Sequence, residues 1–125
     1  MATLPQVVRE AWDTHQGPIV LTTVDSSGMP NAIYATCVRL YGEDRFVVAD
    51  NYFCKTRANI LAGSKGSLLF ITEANKAYQI KGTIEYLTSG EIYEDMRTWV
   101  NPKHPRQAAA VLHVEQVYSG ATQLA

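Results

Sequence analysis

From Ala77 to Leu87 the side chains alternate without a break. Tyr78, Ile80, Gly82, Ile84 and Tyr86 fall on one face, and Gln79, Lys81, Thr83 and Glu85 on the other. A period of two belongs to a half-buried β-strand, and a strand this long needs partners along its whole length. Gly82 in its middle marks a bend or a close backbone approach. Two further runs follow the same rule. Asn31 to Tyr41 alternates, with Ala32, Tyr34, Thr36, Val38 and Leu40 against Ile33, Ala35, Cys37, Arg39 and Tyr41. Ala109 to Tyr118 is long and rich in valine. Ile19–Asp25, Arg45–Ala49 and Gly66–Thr72 are shorter apolar runs rich in β-branched and aromatic residues.

The links between these runs are short. Ser26-Ser27-Gly28-Met29-Pro30, Tyr41-Gly42-Glu43-Asp44-Arg45 and Glu73-Ala74-Asn75-Lys76 are turn sequences. The first three strands are therefore expected to form an antiparallel meander. Leu4, Val7, Val8, Ala11, Trp12 and His15 recur at helical spacing, predicting a helix over 4–16 with Thr3 and Gln6 as a capping box and Gly17-Pro18 as its stop. Thr88 to Glu91 is a second capping box, before Ile92, Met96, Trp99 and Val100 on one helical face. Ala58, Ile60 and Leu61 give a short middle helix that Gly63 closes. Strands do not alternate with helices as in a parallel α/β sheet. The pattern predicts a mainly β (α+β) fold: a six-stranded antiparallel split β-barrel with peripheral helices, in one domain over 1–125.

Composition narrows the function. A hydrophobic fraction of 46% supplies one real core. The net charge of −1 gives no electrostatic footprint for nucleic acid or an anionic membrane. No apolar run approaches a bilayer span, and the first ten residues have no signal-peptide pattern. Cys37 and Cys54 alone do not make a disulfide framework, so a reducing cytoplasm is the expected compartment.

The chemistry concentrates at Ala49-Asp50-Asn51-Tyr52-Phe53-Cys54-Lys55-Thr56-Arg57. A strand runs into a polar turn and then a helix start that carries Lys55 and Thr56. An ammonium and a hydroxyl together suit a phosphate. Asn51 offers an amide and Arg57 a further charge. The same residues fit a solvated helix start with a snorkelling lysine, and residue chemistry alone leaves the two readings balanced. The glycines of a Walker loop or a dinucleotide fingerprint are lacking. His15, His104 and His113 have no metal-ligand spacing, and no nucleophile elbow occurs. His15 reads as a core-edge residue, Cys37 as a buried thiol and Cys54 as a spectator.

Three segments in this order resemble the split-barrel FMN-binding flavoproteins of the pyridoxamine 5′-phosphate oxidase-like superfamily. They are the Gly28-Met29-Pro30-Asn31 turn, the stretch Phe46–Ile60 with Lys55-Thr56 and Asn59, and Tyr78–Thr83 around Gly82. The resemblance implies FMN bound at a homodimer interface. Carried over by position, Lys55 and Thr56 hold the phosphate. The loop Ala49-Asp50-Asn51-Tyr52 passes along the flavin, and Tyr34, Ala35 and Thr36 line the isoalloxazine. The chain departs from the pattern at Asn51 and Tyr52, where relatives carry small glycines, and near Arg106, where some relatives have a tryptophan. The sequence ends soon after the sixth strand, which argues against true pyridoxamine phosphate oxidase activity. The expectation is a redox-active flavoprotein, an electron carrier or a reductase of a small acceptor, served by NAD(P)H or a partner protein. The alternative is the same barrel holding a deazaflavin or haem, or acting as a non-catalytic carrier or sensor. No residue is assigned to acid–base catalysis, and no metal is expected.

Overall fold

The computed structural model describes residues 2–125. In chain order the elements are α1 (Gln6–Trp12), β1 (Ile19–Val24), β2 (Pro30–Ala35), β3 (Val38–Tyr41), β4 (Arg45–Asp50), α2 (Lys55–Leu61), β5 (Lys65–Ile71), β6 (Ala77–Leu87), α3 (Glu91–Trp99), β7 (Ala108–Ser119) and β8 (Thr122–Gln123). The strands form one sheet in the order β2-β1-β5-β6-β7-β4-β3, with β8 beside β7. Every pairing is antiparallel. The sheet's two ends, β2 and β3, are joined through Thr36 and Cys37, so the sheet curls round into a half-barrel.

That join corrects the expected meander. The single strand read over Asn31–Tyr41 is two strands, because the chain changes partner: β2 pairs with β1, and β3 with β4. Between them the Val38 amide donates to the Thr36 carbonyl at 3.1 Å. This tight turn shifts the alternation. Ile33 and Ala35 pack on the main core, and so do Val38 and Leu40, which the period-two reading put on the opposite face. The six expected strands become seven and a two-residue β8.

The main core fills the barrel with Ile19, Leu21, Phe46, Val48, Leu68, Phe70, Ile80, Leu112, Val114 and Val117, and Leu4, Val8 and Trp12 cover one end. His15 stacks on Trp12 with ring centroids 3.8 Å apart. A second core lies under α3, where Met96 and Val100 pack on Val47, Ala49, Ala109 and Val111. Alternate residues of β4 serve the two cores, which explains why Phe46–Ala49 reads as unbroken apolar sequence. Burying a side chain such as Met96 contributes about 1.5–3 kcal/mol relative to leaving it exposed.

Gly82 lies where the β6–β7 register shifts. Lys81 pairs with Gln116, but Gly82 pairs with Val114, so Glu115 is the extra residue of a bulge. A Cβ at Gly82 would run into the backbone carbonyl of His113. Gly66, its partner on β5, would direct a Cβ to within 2.7 Å of the Thr22 carbonyl. The close backbone approach expected at Gly82 is there.

The helix starts differ from expectation. α1 is shorter than 4–16, its N-cap is Pro5, and Gln6 donates to the Glu10 carboxylate instead of closing a capping box. Leu4 lies outside the helix, with its amide bonded to the Glu43 carbonyl. The N-cap of α3 is Gly90, with no side-chain cap. Among the described residues, no helix is long and apolar enough to cross a membrane.

Candidate functional site

β4 ends at Asp50, and the chain must turn sharply to enter α2. The turn is built on the Asp50 carboxylate, which is fully buried. It accepts from the Phe53 amide at 3.0 Å, from Arg57 Nε at 2.7 Å and Nη2 at 3.0 Å, and from the Tyr86 hydroxyl at 2.5 Å. Hydrogen bonding to Asp50 raises the Arg57 pKa, fixing the guanidinium as a cation. Burial, reinforced by the bond to Asp50, pushes the Tyr86 phenol up. The Asp50 carbonyl accepts from the Gln107 amide at 2.8 Å. Asn51 then ties this loop to the one before β7: its Oδ1 accepts from the Arg106 amide and its carbonyl from Gln107 Nε2, both at 3.1 Å.

α2 is anchored from the barrel side. Thr56 is 1% exposed, and its hydroxyl oxygen accepts from Asn31 Nδ2 at 3.0 Å. With that lone pair taken, the Thr56 O–H proton is available to another acceptor. Asn59 Nδ2 donates to the Thr23 hydroxyl at 3.0 Å.

These anchors leave a cleft of about 340 Å³ between the β2–β3 join and the β4–α2 loop. Tyr34, Ala35, Thr36, Ala49, Asn51, Tyr52, Lys55 and Thr56 all line it, joined by Ile33, Cys37, Phe53, Cys54 and His104. The volume falls at the small end of the range for ligand pockets. No carboxylate is in the lining, and none pairs with Lys55 among the described residues. The cleft is therefore cationic at the Lys55 end, with no carboxylate to oppose that charge.

Two sequence readings change. Asp50 does not line the cleft; its carboxylate and carbonyl are spent on holding the loop. Arg57, read as extra charge for an anion, is neutralised by Asp50. Both cysteines are free and both line the cleft, Cys37 half-buried and Cys54 exposed. His104 was not readable as a site residue. It sits 49 positions after Lys55 in the chain, and the bonds from Arg106 and Gln107 to Asn51 and Asp50 bring its loop to the cleft.

The sequence profile of the pyridoxamine 5′-phosphate oxidase family matches residues 4–120, nearly the whole chain. The chain belongs to that family. An uncharacterized protein of Methanocaldococcus jannaschii is 28% identical over 106 residues, 81% of this chain and 71% of that protein. Among solved structures, HupZ of Group A Streptococcus is 25% identical, with a TM-score of 0.82 and 96% of each chain covered. An FMN-binding protein from Syntrophomonas wolfei is 18% identical, with a TM-score of 0.76 over 91% of this chain and 84% of that one. The same fold is found in an F420 reductase (15% identity, TM-score 0.64, covering 81% and 88%) and in HutZ, a heme storage protein of Vibrio cholerae (17%, 0.69, 94% and 95%). The fold thus occurs among proteins of different cofactors.

Proposed function

We propose that the protein binds FMN in this cleft and is redox-active, as an electron carrier or as a reductase of a small acceptor. The observation that carries the reading is the convergence of three distant segments on one cleft with an ammonium and no carboxylate. The residues present fit FMN. Lys55 and the Thr56 hydroxyl hold the dianionic phosphate, and the segment Ile33 to Cys37 gives one wall for the ring. Bound flavin supplies the electron chemistry. The chain orients the ring and limits its contact with water.

A second copy of the chain completes the site in this reading. The cleft opens to the surface, and Tyr34 and Tyr52 stand 77% and 71% exposed at its edge. A partner subunit packing against Tyr34 would give the ring its other wall. The two free cysteines accord with a cytoplasmic location. The electron donor in this account is NAD(P)H or a protein partner.

The test is the visible absorption of the purified protein, with mass spectrometry of whatever denaturation releases. A flavin spectrum and the mass of FMN are expected. A colourless protein that FMN does not reconstitute would overturn the reading. Bleaching on addition of NADH or NADPH would identify direct reduction; an unchanged spectrum would identify a carrier fed by a partner.

One observation favours a second reading, in which the barrel carries haem without turnover, as against FMN or a deazaflavin. His104 lines the cleft, and a neutral imidazole is an iron ligand. The released mass separates these cofactors from FMN.

A further inference from the structure

Two loops from distant parts of the chain touch at the cleft. The Tyr52 hydroxyl lies 3.3 Å from His104 Nδ1, and the two rings meet edge to face with centroids 5.9 Å apart. Both residues line the cleft. Tyr52 is on the loop between β4 and α2, and His104 on the loop between α3 and β7.

Each residue is held from behind and free in front. Beside Tyr52, Asn51 is buried and bonded to the Arg106 amide and to Gln107. Beyond His104, Arg106 adopts φ of 49°, the left-handed region that a residue with a side chain enters only under constraint. Its guanidinium donates to the Arg97 carbonyl at 3.1 Å, so α3 fixes the loop as well. In front, the Tyr52 and His104 side chains have only each other as hydrogen-bond partners among the described residues. A rigid base and a single weak side-chain bond make a contact that opens without disturbing the barrel.

We propose that Tyr52 and His104 form a strap over the cleft that determines what size of molecule reaches its interior. The strap shares its site with the proposed flavin but does not depend on which ligand binds. With the strap closed, a small acceptor passes and a bulky one does not. Specificity is then set by two side chains outside the phosphate anchor.

Cys37 reports on this without any ligand. It is half-buried and lines the cleft, and in a Cys54→Ser protein it is the sole thiol. Its reaction rate is measured with a bulky aromatic disulfide, DTNB, and with small iodoacetamide, in the Cys54→Ser background and with His104→Ala or Tyr52→Ala added. Loss of one hydrogen bond and its ring contact is expected to speed DTNB labelling about two- to tenfold, with iodoacetamide labelling changed less. Equal DTNB rates in all three proteins would overturn the proposal. So would equal acceleration with both reagents, because that signals a loosened fold and not an opened strap. Added FMN separates the two ideas: if the variants accelerate DTNB labelling but FMN never protects Cys37, the strap stands and the flavin reading fails.

Discussion

At the scale of single residues, Gly82 and Tyr86 carry the sharpest consequences. Gly82 has no space for a methyl group, because the His113 carbonyl occupies its position. Backbone cannot yield as a flexible side chain does. Gly82→Ala is expected to cost about 3 kcal/mol or more, at the upper end for overpacking, read as a lowered midpoint in urea. Tyr86 makes a pH prediction. Its pKa is raised, chiefly by burial and then by its bond to Asp50. The unfolded chain ionises first, near the ordinary tyrosine value of about 10. Stability is therefore undiminished below that pH and falls as pH rises through it toward the folded value. Tyr86→Phe should lose about 1 kcal/mol at neutral pH, with the hydrogen bond. It should also flatten the alkaline decline, seen by comparing urea unfolding at about pH 8 and about pH 11.

At the scale of elements, the β4–α2 loop is organised by one buried carboxylate. Asp50→Ala would leave Arg57, the Tyr86 hydroxyl and the Phe53 amide without their acceptor. Breaking a buried pair in this way is expected to cost about 3 kcal/mol, the low end of the usual range, since Arg57 keeps 29% of its side-chain surface in solvent. Urea unfolding checks the value, and a change under about 1 kcal/mol would show that the loop is held by other means. The loop also shows what sequence can and cannot reveal. Its existence, its place after an apolar strand and its Lys55-Thr56 exit are local facts, and local pattern exposed them. The role of Asp50 is not wholly local: its side-chain partners Arg57 and Tyr86 come from 7 and 36 positions away. The break between β2 and β3 was hidden for the same reason. Thr36 and Cys37 have ordinary strand chemistry, and only the separate partners of β1 and β4 require the turn. The capping sequence at Thr3 misled because the Leu4 amide is bonded to the Glu43 carbonyl, and at Thr88 because α3 starts from Gly90 with no side-chain cap.

At the scale of the whole molecule, closing the sheet through the β2–β3 join sets two segments, 34–37 and 49–56, side by side and makes a cleft of them. The fold places residues; the functional reading rests on the cleft those residues form. If a second subunit covers Tyr34, sedimentation should give twice the chain mass of 13.9 kDa, and flavin-loaded protein should stay dimeric on dilution. A monomer that binds FMN with full affinity would remove the partner wall from the account.

The most direct measurement is an FMN titration of wild-type protein and Lys55→Ala side by side, followed by flavin fluorescence. Losing one charge-assisted phosphate contact costs about 1.5–3 kcal/mol, so the variant should bind roughly one to two decades more weakly. Equal affinity of the two proteins for FMN, or none in the wild type, would contradict the assignment of the cleft.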